Sequence, residues 1–358
     1  MLFRTAGQFK TSYLKDQTLF PVRQDAILLG IILAFAWVIF PLTASEFTFQ
    51  TLLIPVLVYS LAALGLNILT GYAGQLSLGT GAFMGVGAYA CYKMITIFPE
   101  MNLLVAVLMS GLFSAFIGVL FGLPSLRIKG FYLAIATLAA QFFLVWLFEK
   151  WAWLYNYNAS GAIQVPHVEM LGTPVAGPQA ASMTQYYFVL VVVTLMTILA
   201  INLTRGTQGR IWKATRDMDI AAELIGINLL KSKLTAFAVS SYIVGVSGAL
   251  FVFLWRGAAE PNLFDIPISF RILFIAIIGG LGSIMGNYMG AILIVALPVV
   301  LKTLPETFGI PISSATVEHL NVMVVGALIV FFLIIEPHGL ARLWTLIREK
   351  FIIWPFPH

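Results

Sequence analysis

The stretch between Glu46 and Lys93 contains no charged side chain and is mostly apolar. As one helix it would be about 70 Å long at ~1.5 Å per residue, whereas the hydrocarbon core of a bilayer is about 30 Å thick. The stretch must therefore fold back, and we predict the break at residues 71–75, Gly-Tyr-Ala-Gly-Gln. The whole chain is 60% hydrophobic and 10% charged, against about 25% charged in soluble domains. These features predict an all-α polytopic membrane protein.

A second uncharged region runs from Arg271 to Lys302 and contains the run 279–283, Gly-Gly-Leu-Gly-Ser. A single span here would place the basic C-terminal segment outside, although Lys and Arg concentrate in cytoplasmic segments. We therefore predict two spans here and ten in total, with both termini cytoplasmic. The predicted spans are 26–43, 52–70, 76–98, 103–123, 131–148, 186–203, 234–255, 268–281, a ninth before Lys302, and 320–335.

This topology divides the chain into a cytoplasmic segment 1–25, a membrane domain 26–336 and a cytoplasmic tail 337–358. The cytoplasmic loops are 124–130 and 204–233, and the longest outer loop is 150–185. The cytoplasmic segments hold 15 of the 20 Lys and Arg residues. The polar N-terminal segment indicates a signal anchor rather than a cleavable signal peptide. Because five is odd, two halves of five spans would have opposite orientation, which predicts a 5+5 inverted repeat.

The longest basic loop, 204–233, contains a predicted short helix over residues 219–226. Asp217 or Asp219 can cap its start, since a carboxylate accepts the free N–H groups of a first helical turn. Ala221, Ala222 and Glu223 favour a helix, and Gly226 suits a left-handed end. Such a helix can dock in a cleft of a cytoplasmic partner or rest on the lipid surface, and the residues alone leave both open.

Glycines and small polar residues cluster at the two predicted breaks. Small residues let helices approach closely in lipid, whereas a broken helix is tolerated where it faces protein or a watery path. The residues therefore fit helix packing alone or a translocation path. They are Gly71, Gly74, Gln75, Ser77, Gly79, Gly81, Gly279, Gly280 and Gly282.

The chain lacks the signatures of several other classes of protein. It has no Gly-x-x-x-x-Gly-Lys-Ser/Thr phosphate loop and no metalloprotease or hydrolase motif. Its four histidines are scattered, and Cys91 is its single cysteine. We therefore expect no catalytic residue, metal or cofactor on this chain, and no nucleic-acid binding despite the net charge of +5. An ion-coupled secondary transporter and a passive channel remain alternatives, although deep ionisable groups and polar pore rings are lacking.

Five runs in order resemble the branched-chain amino acid ABC transporter permease family of the LivM type. Residues 219–226, Asp-Ile-Ala-Ala-Glu-Leu-Ile-Gly, resemble the EAA-type coupling motif within a longer similar run, 209–228. The other similar runs are 67–83, 127–138, 279–283 and 336–340. The chain departs from the family at 155–161, Tyr-Asn-Tyr-Asn-Ala-Ser-Gly, where related permeases commonly have a Thr-Gly-Gly-type stretch. The resemblance therefore indicates the transport class more closely than the substrate.

The resemblance implies the permease subunit of an ATP-driven importer in the bacterial inner membrane, for branched-chain amino acids or a related small organic solute. Its implied partners are two cytoplasmic ATPase subunits that bind ATP, a second homologous permease and a periplasmic substrate-binding protein. The implied ATPase-coupling residues are Asp219, Ala221, Ala222, Glu223 and Gly226.

Overall fold

The computed structural model describes residue 12 and residues 23–125, 132–158, 160–170, 172–307, 314–336 and 338–353. Nearly all of the predicted N-terminal segment 1–25, part of the loop 124–130 and residues 354–358 of the tail lie outside these ranges. The family-like run 127–138 is therefore described only from residue 132. The described parts are mostly helical, as a polytopic membrane protein requires.

Thirteen α-helices are described, and two short 3-10 helices lie at Ala152–Tyr155 and Pro261–Phe264. The first, α1, comprises Arg23–Ala34, a π-helical turn at Phe35–Ile39 and a last turn at Phe40–Thr43. The others are α2 (Glu46–Tyr72), α3 (Thr80–Ile97), α4 (Leu103–Ser125), α5 (Tyr132–Lys150), α6 (Ser182–Arg205), α7 (Thr207–Asp217), α8 (Asp219–Leu224), α9 (Leu229–Arg256), α10 (Ile266–Gly279), α11 (Ile284–Thr307), α12 (Ser314–Ile335) and α13 (Gly339–Ile353).

Seven helices of the described chain are long and apolar enough to cross a membrane. They are α2, α4, α5, α6, α9, α11, and α10 together with the preceding turn at Pro261–Phe264. Shorter apolar helices cover Ile27–Thr43 in α1 and His319–Phe332 in α12. Ten spans would require these two and α3 as well, so the count of ten stays a prediction.

Helices α2 and α9 form the centre of the bundle. In their most apolar windows, 78% of α2 and 83% of α9 are buried inside the protein, against 28% for α11. Glycine makes the contact of α9 with α3 close, because a Cβ on Gly87 would overlap the backbone of Gly245. Small residues thus let helix backbones approach closely.

The two predicted helix breaks are present, with one correction. The first lies between α2 and α3, but α3 begins at Thr80, so residues 76–79 of the predicted span 76–98 are not helical. The glycines and Ser77 there favour extended and turn backbone over helix. The second break separates α10 from α11, so residues 268–302 form two helices rather than one.

Four short strands lie at the end of the bundle opposite the breaks, a feature that the all-helical prediction omitted. They are β1 (Ile163–Gln164), β2 (Val168–Met170), β3 (Thr173–Ala176) and β4 (Ala258–Ala259). Strands β2 and β3 form a hairpin in the predicted outer loop, and β1 pairs with β4 beyond α9. The loop is further held by Lys93 of α3, whose ammonium bonds the side chain of Asn156.

Candidate functional site

The first helix break is an extended segment that follows α2. Helix α2 ends in a π-helical turn at Ile68–Tyr72, and Gly74 then takes a left-handed conformation with φ of +69°. Two hydrogen bonds fold the segment back on the helix: Gln75 N donates to Leu69 O, and Thr70 Oγ1 donates to Gln75 O. Further along, the buried Ser77 hydroxyl accepts from Gly79 N. Several backbone N–H and C=O groups of the break are therefore hydrogen-bonded within the segment or to the end of α2.

The start of α3 is buried against α5 and α10. Gly81 N donates to Ser269 Oγ, and Ala82 N donates to Gln141 Oε1, each at a distance of 2.8 Å. Gln141 stands halfway along α5, accepts from Ser269 Oγ and donates to Phe264 O. First-turn N–H groups have no partner within their own helix, so side chains from α5 and α10 supply it inside the bundle.

The second break contacts the first. Gly280 and Gly282 have φ values of +110° and +83°. Asn67 of α2, which is fully buried, accepts from Gly282 N at 2.7 Å and donates to Ser283 O at 3.0 Å. A Cβ on Gly71 would overlap the Gly282 amide nitrogen. The two breaks thus meet backbone to backbone, and glycine permits it. We call residues 71–75 and 279–283 together the paired breaks.

The C-terminal segment lies beside the second break. A Cβ on Gly280 would overlap the carbonyl oxygen of His338, and one on Gly279 would overlap the backbone of Gly286 in α11. Arg342 of α13 forms an ion pair of 3.3 Å with Glu336. The similar runs 279–283 and 336–340, far apart in the sequence, therefore lie together at one end of the bundle.

Helix α7 brings a cation to the paired breaks. Its buried Trp212 donates to Thr235 Oγ1 of α9, and the Thr215 and Ser232 hydroxyls lie 3.0 Å apart. On its other side, Arg216 Nη1 donates to Gly71 O at 2.6 Å, and Arg216 Nε pairs with Asp217 Oδ1 at 2.8 Å. The loop 204–233 is thus anchored to α9 and joined to the first break.

Helix α8 carries the predicted coupling residues and ends as the sequence predicts. Gly226 has a φ of +88°. Gly226 N donates to Glu223 O and Ile227 N donates to Ala222 O, the pair of bonds of a Schellman motif. The predicted cap at the other end is wrong, because the N-cap residue is Met218 and no side chain caps the helix. Asp219 Oδ1 accepts from the neighbouring Ile220 N, and Asp217 pairs with Arg216. The C-terminal end is therefore the more firmly defined one.

The two sides of α8 differ sharply in exposure. Ala222 is 2% exposed and fastens the helix to the protein, whereas Ile220, Leu224 and Ile225 are 70%, 83% and 76% exposed. Asp219 is half-buried, and Ala221 and Glu223 are exposed. A compact row of exposed aliphatic side chains beside two carboxylates is a typical contact surface for protein or lipid. We call Ile220, Leu224 and Ile225 the aliphatic row.

A cleft of about 820 Å³ separates α8 from the first break. Its walls include Gln75, Leu133, Arg216, Ile220 and Lys233. The side chain of Gln75 is 5% exposed, and neither of its polar atoms has a hydrogen-bond partner among the residues that the structure describes. Buried polar atoms are normally paired, so this amide is the unsatisfied group of the cleft.

The predicted break residues divide into two groups in the structure. The paired breaks, near α7, α11 or α13, contain Gly71, Gly74, Gln75, Gly279, Gly280 and Gly282. Ser77, Gly79 and Gly81 lead into the bundle, where Gly79 packs on Thr137 of α5. Sequence reasoning missed Asn67, Gln141, Arg216 and Ser269. Gln141 and Asn67 were detectable as single amides in apolar runs, whereas nothing local distinguishes Arg216 from the other basic residues of its loop.

Among the described residues, no group of three or more His, Cys, Asp or Glu side chains could hold a metal ion. At the paired breaks, Arg216 meets a backbone carbonyl and a carboxylate.

Comparison with known proteins identifies the class of the chain. The family described as "Branched-chain amino acid transport system / permease component" matches residues 48–333. The high-affinity branched-chain amino acid transport system permease protein LivM of Escherichia coli (strain K12) is 28% identical over 89% of this chain and 75% of its own length. LivM of Salmonella typhimurium (strain LT2) is 27% identical over the same shares.

A probable LivM of Methanocaldococcus jannaschii is 24% identical over 71% of this chain and 70% of its own length. No solved structure matches. The relatives are permease components of transport systems and not enzymes, as the sequence predicts. The family match spans both helix breaks, the loop that carries α8 and most of α12. The chain therefore belongs to the family of permease components of branched-chain amino acid transport systems, and it is a multi-pass membrane protein.

Proposed function

We propose that the chain is the membrane-spanning permease subunit of an ATP-driven importer for branched-chain amino acids or a related small organic solute. The observation that carries the proposal is the aliphatic row on α8, held at the end of the bundle where the paired breaks meet. An exposed row of this kind, on a helix fixed by a Schellman motif, suits docking into a cleft of a cytoplasmic ATPase.

Two proposals concern the energy source and the partners. ATP binds to two partner ATPase subunits, because the sequence contains no phosphate loop. A second homologous permease completes the membrane part, and a periplasmic binding protein delivers the solute to the outer side, where the loop 150–185 lies. The relatives are permease proteins of a transport system, which supports an assembly of several subunits. In this arrangement Asp219, Ala221, Glu223 and Gly226 lie in the contact that couples ATP hydrolysis to transport. The buried Ala222 serves the coupling by holding α8 to the rest of the protein.

The proposed location is the bacterial inner membrane, with α8, the paired breaks and both termini on the cytoplasmic side. The excess of Lys and Arg in the segments of that side supports this orientation. It is tested with single cysteines placed at Ala221 and Ser160 in a Cys91→Ser chain. A membrane-impermeant maleimide added to intact cells should label the cysteine at 160 and leave the one at 221 unlabelled. The reverse labelling would invert the topology.

A 5+5 inverted repeat remains our proposal, and two matching features support it. Helices α2 and α9 both end in a π-helical turn, and each turn is followed by a left-handed glycine, Gly74 or Gly257, with φ of +69°. The next helices, α3 and α10, then meet near their first turns through Gly81 and Ser269. In two halves of opposite orientation, equivalent helix starts would meet inside the bundle in this way.

The test of the function is co-purification of the chain with its candidate partner subunits, followed by an ATPase assay with and without the binding protein. We expect an ATPase subunit to co-elute and its activity to respond to the loaded binding protein. Glu223→Ala and Gly226→Pro should abolish ATP-driven uptake in proteoliposomes at normal expression, since both alter α8. As a matched control, Glu100→Ala alters an exposed carboxylate elsewhere and should leave uptake unchanged.

The alternative is an ion-coupled secondary transporter, and the same experiment separates the two. A chain that purifies alone and moves solute down an imposed ion gradient would contradict the importer proposal. Full uptake by both α8 variants would contradict the role of α8 even if the ATPase co-elutes. The substrate is then identified by screening solutes against the binding protein, beginning with leucine, isoleucine and valine.

A further inference from the structure

We propose that Arg216 is a positioning residue that carries the movement of α8 to the paired breaks. The inference rests on the proposed function, because it assigns a mechanical link within an ATP-driven importer. It concerns a residue outside the motif itself: Arg216 lies in α7, three residues before the first residue of α8. The argument depends on what Arg216 is attached to on each side.

On one side, Arg216 is rigidly connected to α8. Only Met218 separates α7 from α8. Met218 N donates to Ala214 O in α7 at 3.1 Å, and Met218 O accepts from Ala222 N in α8 at 3.0 Å. The corner between the helices is therefore hydrogen-bonded on both sides. A displacement of α8 moves the end of α7, and with it the backbone of Arg216.

On the other side, the Arg216 side chain reaches the first break. Nη1 donates to Gly71 O at 2.6 Å, in the last turn of α2. Carbonyls in the last turn of a helix have no partner within the helix and lie at the negative end of its dipole. A guanidinium is a favourable partner for such a carbonyl. Its aliphatic part lies against Gly74, where a Cβ would come within 2.6 Å of Arg216 Cγ.

The second break is joined to the same point. Gly282 lies beside the hydrogen bond between Arg216 and Gly71. A Cβ on Gly282 would be 3.9 Å from Arg216 Nη1 and 3.7 Å from Gly71 O. Asn67 holds Gly282 and Ser283 through two hydrogen bonds. A pull on Gly71 is therefore transmitted to α10 and α11 as well as to α2 and α3. Arg216 therefore lies where the break between α2 and α3 meets the break between α10 and α11.

The pairing of Arg216 with Asp217 fixes the direction of the guanidinium. Nε lies 2.8 Å from Asp217 Oδ1, while Nη1 faces Gly71. Arginine presents several donors in a planar fork, whereas lysine has one compact ammonium. Lysine can donate to Gly71 O or to Asp217 but does not reproduce the fork. Without this two-sided pairing, α8 should still dock and the ATPase should still hydrolyse ATP. The paired breaks, however, should no longer move with α8.

The test uses the complete complex in proteoliposomes, with the binding protein present. It measures ATP hydrolysed per solute imported for the wild type, Arg216→Ala, Arg216→Lys and the control Arg210→Ala. Arg210 is exposed on the same helix and bonds Thr207 there. We expect Arg216→Ala to raise this ratio about tenfold, the effect of one charge-assisted hydrogen bond on an equilibrium. Arg216→Lys should be intermediate, and Arg210→Ala unchanged.

The outcomes separate the two proposals. If the wild type imports solute on ATP and Arg216→Ala keeps the wild-type ratio, the proposal for Arg216 is overturned while the importer stands. If the wild type shows no ATP-dependent uptake, both proposals fall. If Arg216→Ala does not assemble, Arg216→Lys decides: a raised ratio with normal assembly and melting temperature supports the link, and a wild-type ratio overturns it.

Discussion

The side-chain oxygen of Asn67 accepts a 2.7 Å hydrogen bond from the amide nitrogen of Gly282, 215 residues further along the chain. The amide nitrogen of the same side chain donates to Ser283 O. One buried side chain thus satisfies a donor and an acceptor of the second helix break from a position just before the first. This bond joins the two breaks that the sequence identified separately.

Asn67→Leu should destabilise the protein. It leaves Gly282 N and Ser283 O, which are half-buried, without their partners, at a cost of about 0.5–1.5 kcal/mol for each hydrogen bond. We expect a lower melting temperature in nanodiscs, measured by intrinsic fluorescence. Asn202→Leu, which changes an exposed amide near the end of α6, is the matched control. Equal melting temperatures for the two variants would contradict the stated role of Asn67.

Gln141→Leu should have a comparable effect at the start of α3. The substitution removes the partner of Ala82 N, Ser269 Oγ and Phe264 O together, in a fully buried site. Each unpaired group should lower the free energy of unfolding by about 1–3 kcal/mol, so we expect less folded protein in the membrane and a lower melting temperature.

The control for Gln141 is Thr303→Val on α11. The exposed Thr303 hydroxyl bonds only to Val299 O of its own helix, so its loss should change little. Gln141→Leu that matches Thr303→Val in yield and melting temperature would show that α3 does not depend on the amide.

Gly226→Ala should loosen α8 without unfolding the bundle. At a φ of +88° an alanine is strained by about 1 kcal/mol or more. Helix α8 has six residues and one buried side chain, so it has little stability to lose. We expect faster amide hydrogen exchange over 219–227, reduced uptake and an unchanged melting temperature.

Gly30→Ala provides the comparison for Gly226. Gly30 lies in α1 with open space around it, and its φ is negative. That variant should keep wild-type uptake and exchange. Unaltered exchange over 219–227 in Gly226→Ala would show that the Schellman motif does not hold α8.

Lys93→Met should release the outer loop. The Lys93 ammonium lies 4.1 Å from the centre of the Trp153 ring and bonds Asn156, which in turn donates to the Tyr92 hydroxyl. Without the ammonium, both loop contacts are lost. We expect faster cleavage by chymotrypsin at Tyr157, which is 74% exposed, followed by mass spectrometry of the fragments.

Lys302→Met, at an exposed position of α11, controls for the loss of one positive charge. Cleavage at the same rate in the two variants would mean that Lys93 does not anchor the loop. Faster cleavage in the Lys93 variant alone would assign the effect to the contacts with Trp153 and Asn156.

Local chemistry accounts for what could be predicted from the sequence. The break at 71–75 follows from the length of an uncharged stretch, and the left-handed Gly226 follows from the residues around it. Gly279–Ser283 was recognised as a break, although the number of spans there had to be argued from charge. These features depend on residues that are close in the sequence, so they can be predicted without knowledge of the fold.

Non-local contacts account for what was missed. The bond from Arg216 to Gly71 joins residues 145 positions apart, and that from Gln141 to Phe264 joins residues 123 apart. Strand β4 has two residues and exists only because β1 lies beside it. Such short strands have no alternation long enough to be detected. The sequence therefore located the breaks but not the side chains that join them.

The aliphatic row has a consequence for the life of the subunit before assembly. Ile220, Leu224 and Ile225 are each at least 70% exposed on a helix that the proposed topology places in the cytosol. A newly inserted copy without its partners therefore exposes the aliphatic row to chaperones and membrane proteases. In an assembled copy the docked ATPase covers it. The surface proposed for energy coupling would then also allow proteases to recognise unassembled subunits. Unassembled copies should therefore be degraded quickly, and the subunits should accumulate in equal proportion to their numbers in the complex.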